Sequence, residues 1–218
     1  MKYSPIPTYI VNIPSRLDRR QSVEMQFQDK PEFDVTFVDA VQHPNGAIGI
    51  WQSLVKVIRM AQEAGYDKIL FCEDDHIFTP DYSSEYLYSS IQEAYSKGAE
   101  LLIGGVCGYG VTIPVGSNLY WVDWYWGNQF LIINKSLFQR IIEYDFSPCH
   151  TADGVLSWIT NAKMTMFPFI SVQKEFGYSD ITATNGRKGF INGLFSGTEE
   201  RIRPIHSINQ MFNYNIQK

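Results

Sequence analysis

The sequence has few cysteines and no cysteine motif. Its 218 residues include three cysteines, Cys72, Cys107 and Cys149, which are scattered along the chain. An odd number without a CxxC pair argues against a disulfide framework. The pattern therefore indicates free thiols in a reducing compartment.

Long apolar runs are also missing. The N-terminal stretch MKYSPIPTYIVNI contains no long apolar core of the signal-peptide type. No later run approaches the roughly 18 apolar residues that a membrane-spanning helix needs. We therefore expect neither a signal peptide nor a membrane span. These absences predict a cytoplasmic protein, with peripheral contact to the inner membrane left open.

A basic surface and several nucleotide motifs are absent as well. The formal net charge is −5, which argues against a nucleic-acid partner because neutralising phosphates needs Lys and Arg. The sequence contains no GxxxxGK[ST], no GxSxG and no HExxH. Residues 104–110 are rich in glycine but lack the spacing of the dinucleotide fingerprint. They indicate an active-site or structural loop.

The composition that remains is that of a folded domain. Hydrophobic residues make up 44% and charged residues 19%, so the chain can bury a core and disorder is not indicated. Aromatic residues reach 15%. Their planar rings suit the faces of sugars and bases, and an aromatic-rich core is the alternative reading. No repeat or linker is visible, so one domain is the simplest organisation.

The apolar pattern alternates between strands and helices. Residues 7–13 read as a short buried strand, and Asn45-Gly46 reads as a turn. From Gly49 to Ala64 apolar residues follow the spacing of an amphipathic helix, which Gly65 ends. Residues 68–72 are apolar on both faces, as in a covered parallel strand. After Ser179 we expect loops with short helices.

Three acids directly follow the strand at residues 68–72. We call Glu73, Asp74 and Asp75 the acid cluster. Acids so close together repel one another unless something positive lies among them. The spacing of Glu73 and Asp75 lets both carboxylates face one cation, whereas Asp74 would face a ribose hydroxyl or the fold interior. A solvated surface turn is the alternative. The carboxyl end of such a strand is where open α/β sheets bind ligands.

Several segments together resemble the glycosyltransferase family 25 enzymes, which act in lipopolysaccharide and lipooligosaccharide biosynthesis. YIVNIPSRLDRR at residues 9–20 is similar to the family's opening, and ILFCEDD at 69–75 to its acidic motif. GIWQSL at 49–54 matches the start of the helix before that motif. Residues 127–133, Thr151–Asp153, and the late Pro168, Gln173 and Ser179–Ile181 follow in the family's order. The likeness covers residues 8 to 181.

Two positions depart from the family pattern. Ile50 replaces the family's Cys, and Leu54 replaces its His. If that His shapes the donor site, donor preference differs in this protein.

The resemblance implies a fold, a donor and a reaction. The fold is an α/β, GT-A-type, Rossmann-like single domain with a mostly parallel central sheet flanked by helices. Residues 1–110 would form the nucleotide-sugar half, and residues 111–218 the acceptor half with C-terminal loops. The reaction is an inverting transfer of a hexose, with galactose or glucose from UDP as the family-level expectation. The acceptor would be a bacterial surface glycan or lipooligosaccharide.

Candidate site residues follow from the resemblance and from residue chemistry. Mn²⁺ or Mg²⁺ would be held by Glu73 and Asp75, because hard cations prefer carboxylate and phosphate oxygens. His206 is a candidate extra metal ligand, with an ordinary histidine as the alternative. Asp153 is the candidate general base for the acceptor hydroxyl, and a helix N-cap is the alternative.

The remaining candidates would bind the two substrates. Asn12, Arg16 and Asp74 are candidates for the nucleotide. Either Arg19 or Arg20 is a further candidate, with the other on a solvated helix face. Arg187 and Lys188 would clamp the diphosphate unless they form an ordinary basic loop. Trp124 and Trp126 would form a platform for the acceptor sugar unless they pack in the core.

Three functions compete at this point. The first is a metal-assisted glycosyltransferase. The second is a nucleotide- or carbohydrate-binding protein that kept the fold and lost catalysis, which the departures at Ile50 and Leu54 motivate. The third is a nucleotidyltransferase, which the missing basic, glycine-rich phosphate loop near the N-terminus disfavours.

Overall fold

The computed structural model describes residues 4–178 and 183–216. The strands in these ranges are β1 (Ile6–Asn12), β2 (Phe33–Asp39), β3 (Lys68–Glu73), β4 (His76–Phe78), β5 (Leu101–Ile103), β6 (Gly108–Tyr109), β7 (Thr112–Pro114), β8 (Leu119–Val122), β9 (Tyr125–Trp126), β10 (Phe130–Asn134), β11 (Lys163–Met166) and β12 (Ser171–Gln173). The α-helices are α1 (Leu17–Phe27), α2 (Gly46–Glu63), α3 (Ser84–Ser96), α4 (Lys135–Glu143), α5 (Ala152–Ile159) and α6 (Phe190–Ile216). A 3₁₀ helix covers Ala183–Gly186.

One eight-stranded sheet organises the domain, in the order β2-β1-β3-β10-β5-β11-β8-β7. β2, β1 and β3 are parallel neighbours, and so are β5 and β11. The other four pairings are antiparallel, so β10 and β8 run against the remaining six strands. This arrangement confirms the predicted single α/β domain. The pairs β12–β4 and β6–β9 form two small additional sheets.

The sheet is covered by helices on both faces. Along β3, Ile69 and Phe71 pack on one side, in a core with α2, α4, α5 and α6, whereas Leu70 and Cys72 pack on the other side with α1 and α3. This alternation is the normal period of a strand. It explains why β3 has no polar face in the sequence. It also places the side chain of Glu73 on the α2–α5 side of the sheet.

Helix α2 follows the predicted apolar stripe, and its start differs from the prediction. Leu54, Val57 and Ile58 are fully buried. Asn45, expected in a turn, is the N-cap, and its side chain accepts a hydrogen bond from the Ala47 amide at 3.0 Å. Asn is favoured at the N-cap position because its side-chain oxygen accepts a hydrogen bond from an amide that has no partner within the helix. Gly65 follows with φ of 73°, as a helix-ending glycine does.

The C-terminal region differs most from the sequence prediction. Loops with short helices were expected after residue 179, whereas α6 is a single helix of 27 residues with Pro204 inside it. Ile191, Phe195 and Ile202 form the helical stripe that packs into the core. Burial of this stripe outweighs the weak helix preference of Gly193, Gly197 and Pro204. Among the described helices, α6 included, none combines the length and apolar character needed to cross a bilayer.

Candidate active site

A cleft opens where β1, β2 and β3 end. Its open volume, including the solvent-filled mouth, is about 1100 Å³. One side is formed by Asn12 at the end of β1 and Arg16 before α1, and another by residues 40–43 and the first turns of α2. The acid cluster lies between them, and residues 173–178 form the opposite wall. The cleft therefore lies at the sheet edge that the sequence predicted for ligand binding.

Arg19 supplies the positive charge that the acid cluster requires. Its guanidinium Nη1 lies 3.1 Å from Asp74 Oδ1 and 3.9 Å from Asp75 Oδ2. Arg19 is only 7% exposed although it belongs to a polar helix. Arg20, the neighbouring candidate, instead lies over the ring of Phe37 at 3.5 Å. The structure therefore distinguishes the two arginines that the sequence left open.

Asp74 is fully engaged inside the protein. Its Oδ1 accepts a hydrogen bond from Arg19 and its Oδ2 accepts one from Asn12 Nδ2 at 2.8 Å. The Asn12 amide also reaches the Arg16 carbonyl at 3.3 Å. These contacts fix the end of β1 to the end of β3. They favour the interior role for Asp74 over contact with a ribose, although both Asn12 and Asp74 border the cleft.

Glu73 and Asp75 are held under electrostatic strain. Burial raises the pKa of Asp75 to about 7, with a further increase from Asp74 that Arg19 opposes. Burial also raises the pKa of Glu73 well above its usual range, with Asp75 and Asp74 as the next causes and Asp153 after them. Among the described residues, the buried Oδ1 of Asp75 has no hydrogen-bond partner. The Asp75 carboxylate therefore has unused capacity to bind a cation.

The wall formed by residues 173–178, which we call the C-terminal wall, was not predicted from the sequence. The Lys174 amide donates to the Asp75 carbonyl at 2.7 Å, and its ammonium donates to Ser22 Oγ at 2.8 Å. The rings of Phe176 and Tyr178 lie 4.8 and 4.6 Å from the Arg19 guanidinium. The only earlier signal for this wall was the similarity at Gln173. Ser179–Ile181, the end of that similarity, lie outside the described residues.

Asp153 lies in the first turn of α5, but it is not the N-cap. Thr151 is the cap, and its hydroxyl accepts a hydrogen bond from the Gly154 amide at 3.2 Å. The capping role considered for Asp153 is therefore wrong. Its Oδ1 accepts from the Gly154 amide at 2.9 Å, and its Oδ2 accepts from the Gly127 amide at 3.3 Å. Asp153 is partly buried and does not line the cleft itself.

Trp124 and Trp126 form an aromatic pair directly before Gly127, whose amide bonds to Asp153. Their ring centroids are 5.2 Å apart, and Trp126 is 49% exposed. The glycine-rich loop makes room for them, because a Cβ on Gly108 would lie 2.6 Å from Trp126 Cε3 and one on Gly110 would lie 2.3 Å from Trp124 Nε1. The two indoles therefore pack directly against the backbone of this loop. Only part of each ring is used for packing.

The other basic and histidine candidates lie elsewhere. His206, on α6, contacts the Tyr120 hydroxyl through Nδ1 at 2.8 Å and packs on Phe167. In the described ranges no three His, Cys, Asp or Glu side chains come together as a metal site, so the structure does not bring His206 to Glu73 and Asp75. Arg187 and Lys188 are exposed before α6 and do not border the cleft.

The two departures from the family pattern have different surroundings. Leu54 is 1% exposed within the core under α2, so it does not reach the cleft. Ile50, one turn earlier, does border the cleft. The departure at Ile50 therefore touches the candidate site, whereas the departure at Leu54 affects core packing.

His76 is a core residue. Its Nδ1 lies 2.8 Å from Ser171 Oγ, and its ring packs against Phe27, Phe78 and Phe130. Burial, with a smaller effect of Lys30, lowers the pKa of His76 to about 3. The ring is oriented by Ser171 and by these aromatic rings.

The chain matches no protein-family model and no curated protein. Solved structures of similar chain path include A197 from STIV, with 14% identity, coverage of 81% of this chain and 87% of that chain, and a TM-score of 0.49. A glycosyltransferase involved in glycosylation of the major capsid of PBCV-1 is 10% identical, covers 63% of each chain and has a TM-score of 0.40. An apo UDP-glucose pyrophosphorylase is 12% identical, covers 90% of this chain and 82% of that chain, and has a TM-score of 0.47. At TM-scores below 0.5, none of these proteins lends its function to this chain.

Proposed function

We propose that this protein is an inverting, cation-assisted glycosyltransferase that moves a hexose from a nucleotide sugar to a glycan acceptor. One observation carries the proposal. Glu73 and Asp75 lie in a cleft at the carboxyl ends of parallel strands, and Asp153 is close enough for its charge to raise the pKa of Glu73. A candidate cation-binding pair in the cleft and a third carboxylate beyond its lining thus lie within electrostatic reach of one another, which supports such a transfer.

The acid cluster fits a divalent cation. Mg²⁺ and Mn²⁺ commonly take one or two protein carboxylates and complete their shell with water and substrate phosphates. Glu73 and Asp75 would hold the ion, because Asp74 is already saturated by Asn12 and Arg19. Such a cation would neutralise the charge that develops on the leaving nucleoside diphosphate. His206 is not part of the proposed set.

The donor would occupy the cleft between the ends of β1 and β2 and the C-terminal wall. Asn12 and Arg16 border this space. Arg187 and Lys188 could contact a diphosphate only after a change in the region before α6, so we leave them outside the proposed donor site. UDP-linked galactose or glucose is the donor proposed from the family resemblance.

The acceptor would lie over Trp124 and Trp126, with the hydroxyl to be glycosylated at Asp153. Asp153 takes the proton of that hydroxyl, and the hydroxyl oxygen bonds to the anomeric carbon. The bond between the anomeric carbon and the phosphate oxygen breaks, and a nucleoside diphosphate leaves. Attack from the side opposite the leaving group inverts the anomeric centre. A surface glycan or lipooligosaccharide is the proposed acceptor, reached by a cytoplasmic enzyme at the inner membrane.

The test is a panel of nucleotide sugars incubated with the protein, with and without Mn²⁺. Release of nucleoside diphosphate is followed, and release of pyrophosphate from nucleoside triphosphate and sugar phosphate is followed in parallel. We expect Mn²⁺-dependent diphosphate release with one donor, abolished by Asp75→Ala and reduced about 10²–10⁴-fold by Asp153→Asn. Glu63→Gln, an exposed acid at the end of α2, is the matched control.

Other outcomes contradict the proposal. Donor binding without turnover under any condition would identify a binding protein. Pyrophosphate release would identify a nucleotidyltransferase. Unchanged activity in Asp75→Ala would remove the cation assignment, and full transfer by Asp153→Asn would remove the base.

A further inference from the structure

Arg19 occupies an unusual position for a cation next to a candidate metal site. Arg19 is 7% exposed, yet it borders the cleft. One nitrogen, Nη1, donates a hydrogen bond to Asp74 Oδ1 in the acid cluster. The other, Nη2, donates to the Tyr178 carbonyl at 2.9 Å. The third donor, Nε, is buried and has no hydrogen-bond partner among residues 4–178 and 183–216. An arginine buried with a free donor retains capacity for an anionic ligand.

The contacts of Arg19 with the acid cluster are unequal. Asp74 is bound closely, at 3.1 Å, and is also held by Asn12. Asp75 is 3.9 Å from Nη1, at the limit of an ion pair, and its Oδ1 has no partner in the described part of the chain. Arg19 therefore anchors Asp74 and only partly neutralises Asp75. A cation at Asp75 would neutralise that carboxylate more completely, because it carries two charges.

Two aromatic rings contact the Arg19 guanidinium and restrict its orientation. Phe176 and Tyr178 lie against it from the C-terminal wall, so Arg19 spans the space between the acid cluster and that wall. Guanidinium groups recognise phosphate oxygens through several N–H donors at once. Without a cation, the acid cluster next to Arg19 would repel a diphosphate. With a cation bound, the same arginine faces a neutralised cluster and can donate to phosphate.

We infer that Arg19 is the internal counter-ion of the acid cluster and becomes a ligand of the donor diphosphate once a divalent cation occupies that cluster. The inference rests on the proposed function and adds an order of binding, with the cation before the nucleotide. It makes Arg19 a competitor of the cation and a partner of the phosphates. The two ligands should therefore respond in opposite directions when Arg19 is replaced.

The test is calorimetric titration of the whole protein with Mn²⁺ alone, and then with UDP or inorganic pyrophosphate in the presence of saturating Mn²⁺. In Arg19→Met we expect Mn²⁺ to bind about threefold or more tightly, because a competing positive charge is gone. We expect UDP and pyrophosphate to bind about tenfold or more weakly, because charge-assisted hydrogen bonds are lost. Pyrophosphate shows that the effect concerns the diphosphate and not the base.

Two further variants separate binding from folding. Arg19→Lys keeps the charge beside Asp74 but loses the fork of donors, so we expect unchanged Mn²⁺ affinity and an intermediate loss of diphosphate affinity. Arg20→Met, on the same helix, is the matched control and should change neither ligand. Thermal unfolding of each variant shows whether it is folded. If Arg19→Met is not folded, the affinities of Arg19→Lys for Mn²⁺ and diphosphate test the inference.

The outcomes distinguish the two proposals. Affinity losses of similar size for Mn²⁺ and UDP in Arg19→Lys, or no change in either Arg19 variant, would overturn the role of Arg19 alone. If the wild-type protein binds neither Mn²⁺ nor UDP, the proposed function is overturned as well. Opposite shifts of the two affinities in Arg19→Met support the inference, because a general loss of structure would weaken both.

Discussion

The two acidic regions of the candidate site are built in contrasting ways. The acid cluster at the end of β3 is crowded and largely buried, and it depends on the charge of Arg19. Asp153 stands on the first turn of α5, partly buried like Glu73 and Asp75, and is held by the backbone amides of Gly127 and Gly154. A buried group of like charges requires a cation, whereas a carboxylate at a helix start is satisfied by amide dipoles. The cluster is therefore suited to hold an ion, and Asp153 to exchange a proton.

The largest stability difference should come from breaking the buried pair. Asp74→Ala leaves the Arg19 guanidinium without its main partner, and we expect a loss of about 3–5 kcal/mol in the free energy of unfolding. Asp153→Ala should cost less, about 1 kcal/mol, because it removes only hydrogen bonds to two backbone amides and no buried ion pair. Urea denaturation of both variants measures the difference. Similar losses in the two variants would show that the regions are not built differently.

The free energy of unfolding should also depend on pH through His76, at the start of β4. Because burial lowers the pKa of His76 to about 3, the unfolded chain binds this proton more readily, near the usual pKa of about 6.5. Stability from the neutral ring is therefore complete above pH 6.5 and is lost as the pH falls toward 3. The loss should reach about 1.4 kcal/mol per pH unit.

His76→Phe isolates this effect. The variant has no ring to protonate at this position. The unfolding free energy of the wild type should therefore fall relative to that of the variant as the pH falls from 6.5 to 4. Urea denaturation at several pH values measures it. Parallel stability curves would contradict the burial of a neutral histidine next to the acid cluster.

The smallest expected effect concerns the helix that carries Asp153. Thr151→Ala removes the N-cap of α5 and should cost about 1 kcal/mol of unfolding free energy. Transfer by this variant should stay near wild type at a temperature where it is folded. Asp153→Asn should do the reverse, with stability kept and transfer lost. If both variants lose stability and transfer together, capping and catalysis are not separate functions of these two residues.

The sequence predicted helices and strands correctly where the spacing of apolar residues followed one clear pattern. The stripe of α2 and the doubly apolar β3 are both present, because their side chains alternate between a core and a sheet or solvent. It failed at α6, where Gly193, Gly197 and Pro204 resemble breakers. The buried stripe of Ile191, Phe195 and Ile202 at helical spacing was the available signal.

The site was only partly readable. The acid cluster and Asp153 stand out because charged residues interrupt apolar segments. Arg19 could not be distinguished from Arg20, since adjacent residues on a helix face different directions and only packing shows which one is buried. The C-terminal wall was missed because it contacts α1 from more than 150 residues away.

By itself the sequence determined that an apolar strand ends in three acids at a sheet edge. Strand alternation is local and predicted that Glu73 and Asp75 face away from Asp74, whereas β3 ends at Glu73 and Asp74 and Asp75 lie in the turn before β4. Only the tertiary structure decided that Arg19 and Asn12 hold Asp74, 55 and 62 residues away along the chain. It also brought Asp153 into electrostatic reach of Glu73. The physical reason is that helix and strand periods depend on neighbouring residues, whereas a balanced buried charge depends on packing between distant segments.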